Sequence, residues 1–173
     1  ELSESMLRTL PLAAAVLAVL LATMGCRTDG GAPVTPFSTP APAQSGQPHL
    51  YAGDDGRVWM SWVEREAENQ QALRYATTRD TSWSEPQTAA RGTDWFVNWA
   101  DVPSLQPLPE GRLAAHFLES NGPSTLAYGV RITQTTNGTW QSPVSPHDDA
   151  TETEHGFASL LPGANHRLLA VWL

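Results

Sequence analysis

Two stretches hold most of the side chains able to do chemistry. The first is Asp94-Trp95-Phe96-Val97-Asn98-Trp99-Ala100-Asp101, and the second is His147-Asp148-Asp149-Ala150-Thr151-Glu152-Thr153-Glu154-His155-Gly156-Phe157. A carboxylate pair near a histidine is the equipment for general acid–base work on a glycosidic bond. On that chemistry Asp101 and Glu154 are the acid–base candidates, with His155 in support. Trp95 and Trp99 would offer flat faces for a sugar ring to stack on, and Asn98 a bidentate polar contact. Each residue also has a plainer use. Asp101 can cap a turn ahead of Pro103, and the tryptophans can seal a gap between sheets. The second stretch carries nitrogen and oxygen donors of the kind divalent ions take. Its spacing matches no defined metal loop, so neither a metal nor a cofactor is expected.

These stretches are connectors, because the sequence around them repeats. Val102-Pro103-Ser104-Leu105 leads to Gly111-Arg112-Leu113-Ala114-Ala115-His116-Phe117-Leu118-Glu119, and the pattern recurs 55 positions to either side. Upstream it is Pro48-His49-Leu50 leading to Gly56-Arg57-Val58 and on to Glu64. Downstream it is Ser159-Leu160-Leu161-Pro162 leading to Arg167-Leu168-Leu169 and on to Leu173. A fixed long period marks a repeat architecture.

Four strands are read in each unit. The first strands are His49 to Ala52, Ser104 to Leu108 and Ser159 to Leu161, each followed by a turn rich in Gly, Pro, Asp or Asn. The second are Arg57 to Glu64, Arg112 to Glu119 and Arg167 onward, nearly continuous apolar runs that suit strands buried on both faces. The third are Ala72 to Thr78 and Thr125 to Thr133, and the fourth open at Trp83 and Trp140. Four antiparallel strands at a period of about 40 to 55 residues is the pattern of a β-propeller blade. An antiparallel sandwich with a duplicated hairpin pair is the alternative. On the propeller reading, 48–173 holds about two and a half blades. The third copy reaches Leu173 inside its second strand, so a truncated N-terminal fragment is expected.

Ahead of the repeats the chain is an address and a tether. Met6-Leu7-Arg8-Thr9 and the apolar run Leu10 to Leu21 form a secretory signal, closed by Thr23-Met24-Gly25-Cys26. The Gly-Cys ending resembles the lipobox of bacterial lipoproteins, which implies lipidation at Cys26 and anchoring at the cell envelope. An ordinary cleaved signal, with a periplasmic or secreted product, is the other reading. Residues 27–47 are rich in Gly, Pro, Ser, Thr and Ala, with Val34 and Phe37 as apolar exceptions, and read as an extended or disordered linker. The domain is expected to start near Pro48.

Composition narrows the partners. The chain has 18 acidic and 10 basic residues, a net charge of -8, and its basic residues are all arginine. Nucleic-acid binding needs basic patches that neutralise phosphates, so it is not expected. A glycan or other small ligand is compatible with seven tryptophans. The one cysteine precludes an intrachain disulfide.

The order third strand, turn, Trp, Ser/Gln-x-Pro resembles the Asp-box repeat of six-bladed sialidase-like propellers. Around Trp140 it keeps Thr133, Gly138 and Thr139, with Thr135 and Asn137 where the motif has Asp and Gly. Around Trp83 it keeps Asp80 and Ser82. The resemblance implies the propeller fold and an exo-sialidase-like glycosidase activity. The family's Arg-Ile-Pro is absent, since Arg131-Ile132-Thr133 stands on a third strand. Arg57, Arg112 and Arg167 open second strands beside the opposite face and are read as structural, not as the family's carboxylate-binding triad. The family's tyrosine nucleophile and glutamate partner are expected beyond Leu173.

Overall fold

The computed structural model describes residues 33–149 and 151–173. The signal segment, Cys26 and the start of the linker lie outside the described residues. Three antiparallel sheets follow one another along the chain. The first has the order β1-β2-β3-β4, from Ser45–Ala52, Val58–Ala67, Gln70–Thr78 and Gln87–Gly92. The second repeats it as β5-β6-β7-β8, from Ser104–Pro107, Leu113–Ser120, Tyr128–Thr136 and Thr139–Trp140. The third pairs β9 (Ser159–Pro162) with β10 (Leu168–Val171).

The first strands gather side by side, β1 against β5 and β5 against β9. Successive antiparallel meanders with their first strands clustered are the blades of a β-propeller. The all-β propeller expectation therefore holds. The repeat register is kept to the residue: Leu50 faces Met60, Leu105 faces Ala115 and Leu160 faces Ala170.

Strand limits depart from expectation where backbone chemistry intervenes. β1 starts at Ser45, ahead of Pro48, because its register shifts between Gly46 and His49. Pro48 falls inside that shift, where its missing N–H breaks no ladder bond. Phe37 stacks on Trp83 at 5.8 Å, and Ala41 packs on Met60 and Trp62. The linker from Phe37 onward is thus laid on the first sheet. Trp83 opens no strand; β4 begins at Gln87, after Pro86. Between β7 and β8 the chain turns at Asn137 and Gly138, with φ of 51° and 76°. Two left-handed residues make the turn that matches strand twist, and Asn-Gly is the preferred pair for it.

The core lies between the sheets, and strand alternation builds it. Leu113, Ala115 and Phe117 of β6 face the first sheet, meeting Val63, Leu73, Tyr75 and Ala89. Ala114 and Leu118 face the other way, toward Leu160 of the third sheet. This is why second strands read as unbroken apolar runs. Trp95 fills the first interface, stacked on Phe117 at 4.2 Å. Tyr75 meets Trp140 edge-on across it at 6.1 Å.

The connector after β4 is pinned to the following sheet. Phe96 N–H donates to Leu118 O at 3.0 Å, and Ser120 N–H donates to Asp94 O at 2.7 Å. Residues 94–96 therefore cover the edge of β6 that the short β5 leaves open. At the opposite ends of the strands, Arg57 pairs with Asp55 at 3.6 Å and lies 5.6 Å from the Trp59 ring centroid. Arg112 donates to His166 O at 3.0 Å. Both arginines hold turns, as their register implies.

Candidate functional site

The connectors 93–103 and 141–158 meet beside the first strands. Asn98 shapes the first of them. Its Oδ1 accepts the N–H groups of Ala100 at 2.8 Å and Asp101 at 2.9 Å, a side-chain-closed turn. Gln47 of β1 anchors the same turn by donating to Asn98 O. Asp101 leaves the turn buried, and its Oδ2 accepts the Phe157 N–H at 2.6 Å. It does act as a cap, but across to the second connector and not on its own turn. Gly156 is required there, because a Cβ would run into Asp101 Oδ2 and lie 2.9 Å from Tyr128 Cε2.

Glu154 comes to the same place along β7. Residues 154 and 128 form a parallel bridge, and His155 N–H donates to Tyr128 O at 2.9 Å. The Tyr128 hydroxyl donates to Glu154 Oε1. Tyr128 is itself buried, with Phe96 stacked on its ring at 3.9 Å and 10°. Asp101, Tyr128 and Glu154 thus form one group with an exposed carboxylate at its surface.

Burial pushes the Asp101 carboxyl above the usual carboxylate range; the Phe157 N–H opposes this, and the negative Glu154 adds to it. Burial, the bond to Glu154 and the two carboxylate charges all push the Tyr128 phenol up. That phenol keeps its proton, so Tyr128 clamps Glu154 and is not an activated nucleophile. Two carboxyl groups in unlike settings, one buried and one exposed, can divide acid and base roles.

His155 turns elsewhere. Its Nε2 meets Asp149 Oδ2 at 3.2 Å, and its ring lies 4.4 Å from that of His147. The Thr151 N–H, and after it the Thr151 hydroxyl and His155, hold the Asp149 carboxyl below its ordinary value. Among the described residues no group of three or more His, Cys, Asp or Glu is placed to hold a metal ion. Trp95 is corrected to a core residue: it is buried against Phe117, so no ligand can stack on it. Trp99 is the opposite, 92% exposed beside Asn98. Tyr128 and Phe96 were not singled out as site residues from sequence. The sequence sets Tyr128 against Tyr75 in the repeat, but the registers put Ile132 at that position, since Ser61 faces Tyr75 and His116 faces Ile132.

No family model matches the chain, and no curated protein matches it. Among solved structures, an endo-arabinase from Bacteroides thetaiotaomicron is similar at 15% identity and a TM-score of 0.49. The match covers 74% of this chain and 50% of that one, so the chain spans half that structure's length.

Proposed function

We propose that the connector face is a glycan site and that Glu154 is the carboxylate that acts there. The observation carrying this is the Tyr128–Glu154 bond beside Asp101, which fixes an exposed carboxylate next to a buried one. Hydrolysis would use Glu154 as base or nucleophile and Asp101 as proton donor to the leaving oxygen. The Asp-box-like turns support an exo-sialidase-like enzyme as the finer form of this reading. Glu154→Gln keeps the shape of the side chain and removes its charge. It is expected to lower turnover by about 10²- to 10⁴-fold in the full-length protein, assayed on a panel of sialosides and neutral polysaccharides. Unchanged turnover would remove Glu154 from the reaction.

A binding propeller without catalysis is the second reading, favoured by one observation. Asp101 is only 3% exposed and is committed to the Phe157 N–H, so its carboxyl is poorly placed to reach a ligand. Glycan binding without turnover in the wild-type protein would select it.

The signal-like N-terminus supports export, and its Gly25-Cys26 ending supports a lipid on Cys26. Labelling with radioactive palmitate is expected to mark the wild-type protein and to be lost in Cys26→Ser. Equal labelling of both would overturn the anchor.

A further inference from the structure

Six non-glycine residues among those described have a left-handed backbone, and four stand in turns between paired strands: Glu110, Asn137, Asn165 and His166. The other two, Gln47 and Phe157, share one repeat position, at the start of β1 and just ahead of β9. Phe157 is the outlier, because a bulky residue at a φ of 51° crowds its Cβ against the following carbonyl. The backbone around it is held from three sides. His155 N–H donates to Tyr128 O at 2.9 Å, and Gly156 and Leu173 donate to each other's carbonyl oxygens at 3.2 and 2.9 Å. Buried Asp101 accepts the Phe157 N–H itself at 2.6 Å. Strain of this kind persists only where neighbours over-determine the backbone, and it gathers at active sites and ligand clamps.

What this strain holds in place is a bare ring. Phe157 is 48% exposed, and among the described residues its ring joins no aromatic pair and no core cluster. Gln47, with the same backbone at the same repeat position, instead spends its side chain on Asn98 O of the first connector. We infer that Phe157 is the sugar-stacking residue of the Glu154 site, with Asp101 as the positioning residue that grips its amide. The assignment rests on the glycan reading above and deepens it. A phenyl ring offers neither charge nor hydrogen bond, so its contribution is a flat apolar face. A sugar ring can lay its C–H face there and donate a hydroxyl to the exposed Glu154 carboxylate on the same connector. An organic cation is the competing occupant, because an aromatic face beside a carboxylate also suits a cation–π contact.

Calorimetric titration of full-length Glu154→Gln protein with 3′-sialyllactose, xylohexaose and linear arabinohexaose measures binding without turnover. At least one of these sugars is expected to bind. In the same background Phe157→Tyr should keep that affinity, while Phe157→Ala and Phe157→Gly should each weaken it about tenfold. Urea unfolding separates the site from the fold. Glycine tolerates the left-handed backbone, so Phe157→Gly is expected to unfold at a higher urea concentration than Phe157→Ala. Equal midpoints for those two variants overturn the inference, because the backbone would then carry no strain. A large fall of both midpoints below wild type also overturns it, by showing a ring packed on protein as Gln47 is on Asn98. Tighter binding of choline than of any sugar by the wild-type protein, lost in Phe157→Ala, gives the ring to a cation and does the same. Sugar binding that Phe157→Ala leaves intact removes Phe157 alone. Absence of binding by every sugar removes the glycan reading with it.

Discussion

Phe117→Ala is expected to cost about 3–5 kcal/mol, enough to threaten the fold of a domain with an ordinary stability of about 5–15 kcal/mol. Phe117 is 2% exposed and forms the centre of the interface between the first two sheets. Its ring stacks on Trp95 with an angle of 17° between the planes. Truncation removes apolar contacts on both partners and leaves a cavity between two sheets that pack with little room to collapse. Trp99→Ala removes a larger side chain from the surface and is expected to change stability by no more than about 0.5 kcal/mol. Urea unfolding of the two variants beside wild type makes the comparison. Equal shifts of the two midpoints would show that the Trp95–Phe117 stack does not join the sheets.

The second large effect is expected from pH. His116 has no exposed surface, and burial, aided by the charge of His49, pushes it down to about 4. Its Nδ1 lies 3.0 Å from Ser104 Oγ, while Nε2 has no partner. An imidazolium there would be a buried, unpaired charge. In the unfolded chain the same histidine titrates near 6.5, so on acidification the unfolded state takes up the proton first. The stability from keeping His116 neutral is complete above pH 6.5 and drains away as the pH falls to about 4. The gap between those values corresponds to about 3 kcal/mol. His49 is lowered by burial and adds in the same direction. Asp101, raised by burial, works the opposite way and gains as the pH falls. Denaturant unfolding at several pH values between 7 and 4 is expected to show this loss in wild type and a much flatter profile in His116→Gln. Parallel profiles would assign the acid sensitivity to other groups.

The blades were legible in the sequence because their strands must bury both faces, which writes unbroken apolar runs at a constant period. The registers Leu50–Met60, Leu105–Ala115 and Leu160–Ala170 are that period made physical. The connectors were legible as places, through their carboxylates and aromatics, but not as arrangements. Trp95 and Trp99 look alike in a segment that has no strand alternation. The bonds of residues 94–96 to β6 turn one into the core and leave the other outside. Glu154 reaches Tyr128 only because the second connector lies parallel to the start of β7, a pairing no local pattern encodes. The Asp101–Phe157 bond was equally hidden, although Asp101 and Gly156 stand at the same repeat position.

The attachment of residues 94–96 to β6 also separates the unit of heredity from the unit of structure. By sequence these residues close the first repeat, yet they complete an edge of the second sheet. A gene duplication copying the first sheet through residue 96 would carry that sheet together with the piece that seals its successor. New blades added this way arrive already able to join the next one. Swapping a blade between two such proteins would succeed at a cut inside a connector beyond residue 96, and would break the joint if made at the end of β4.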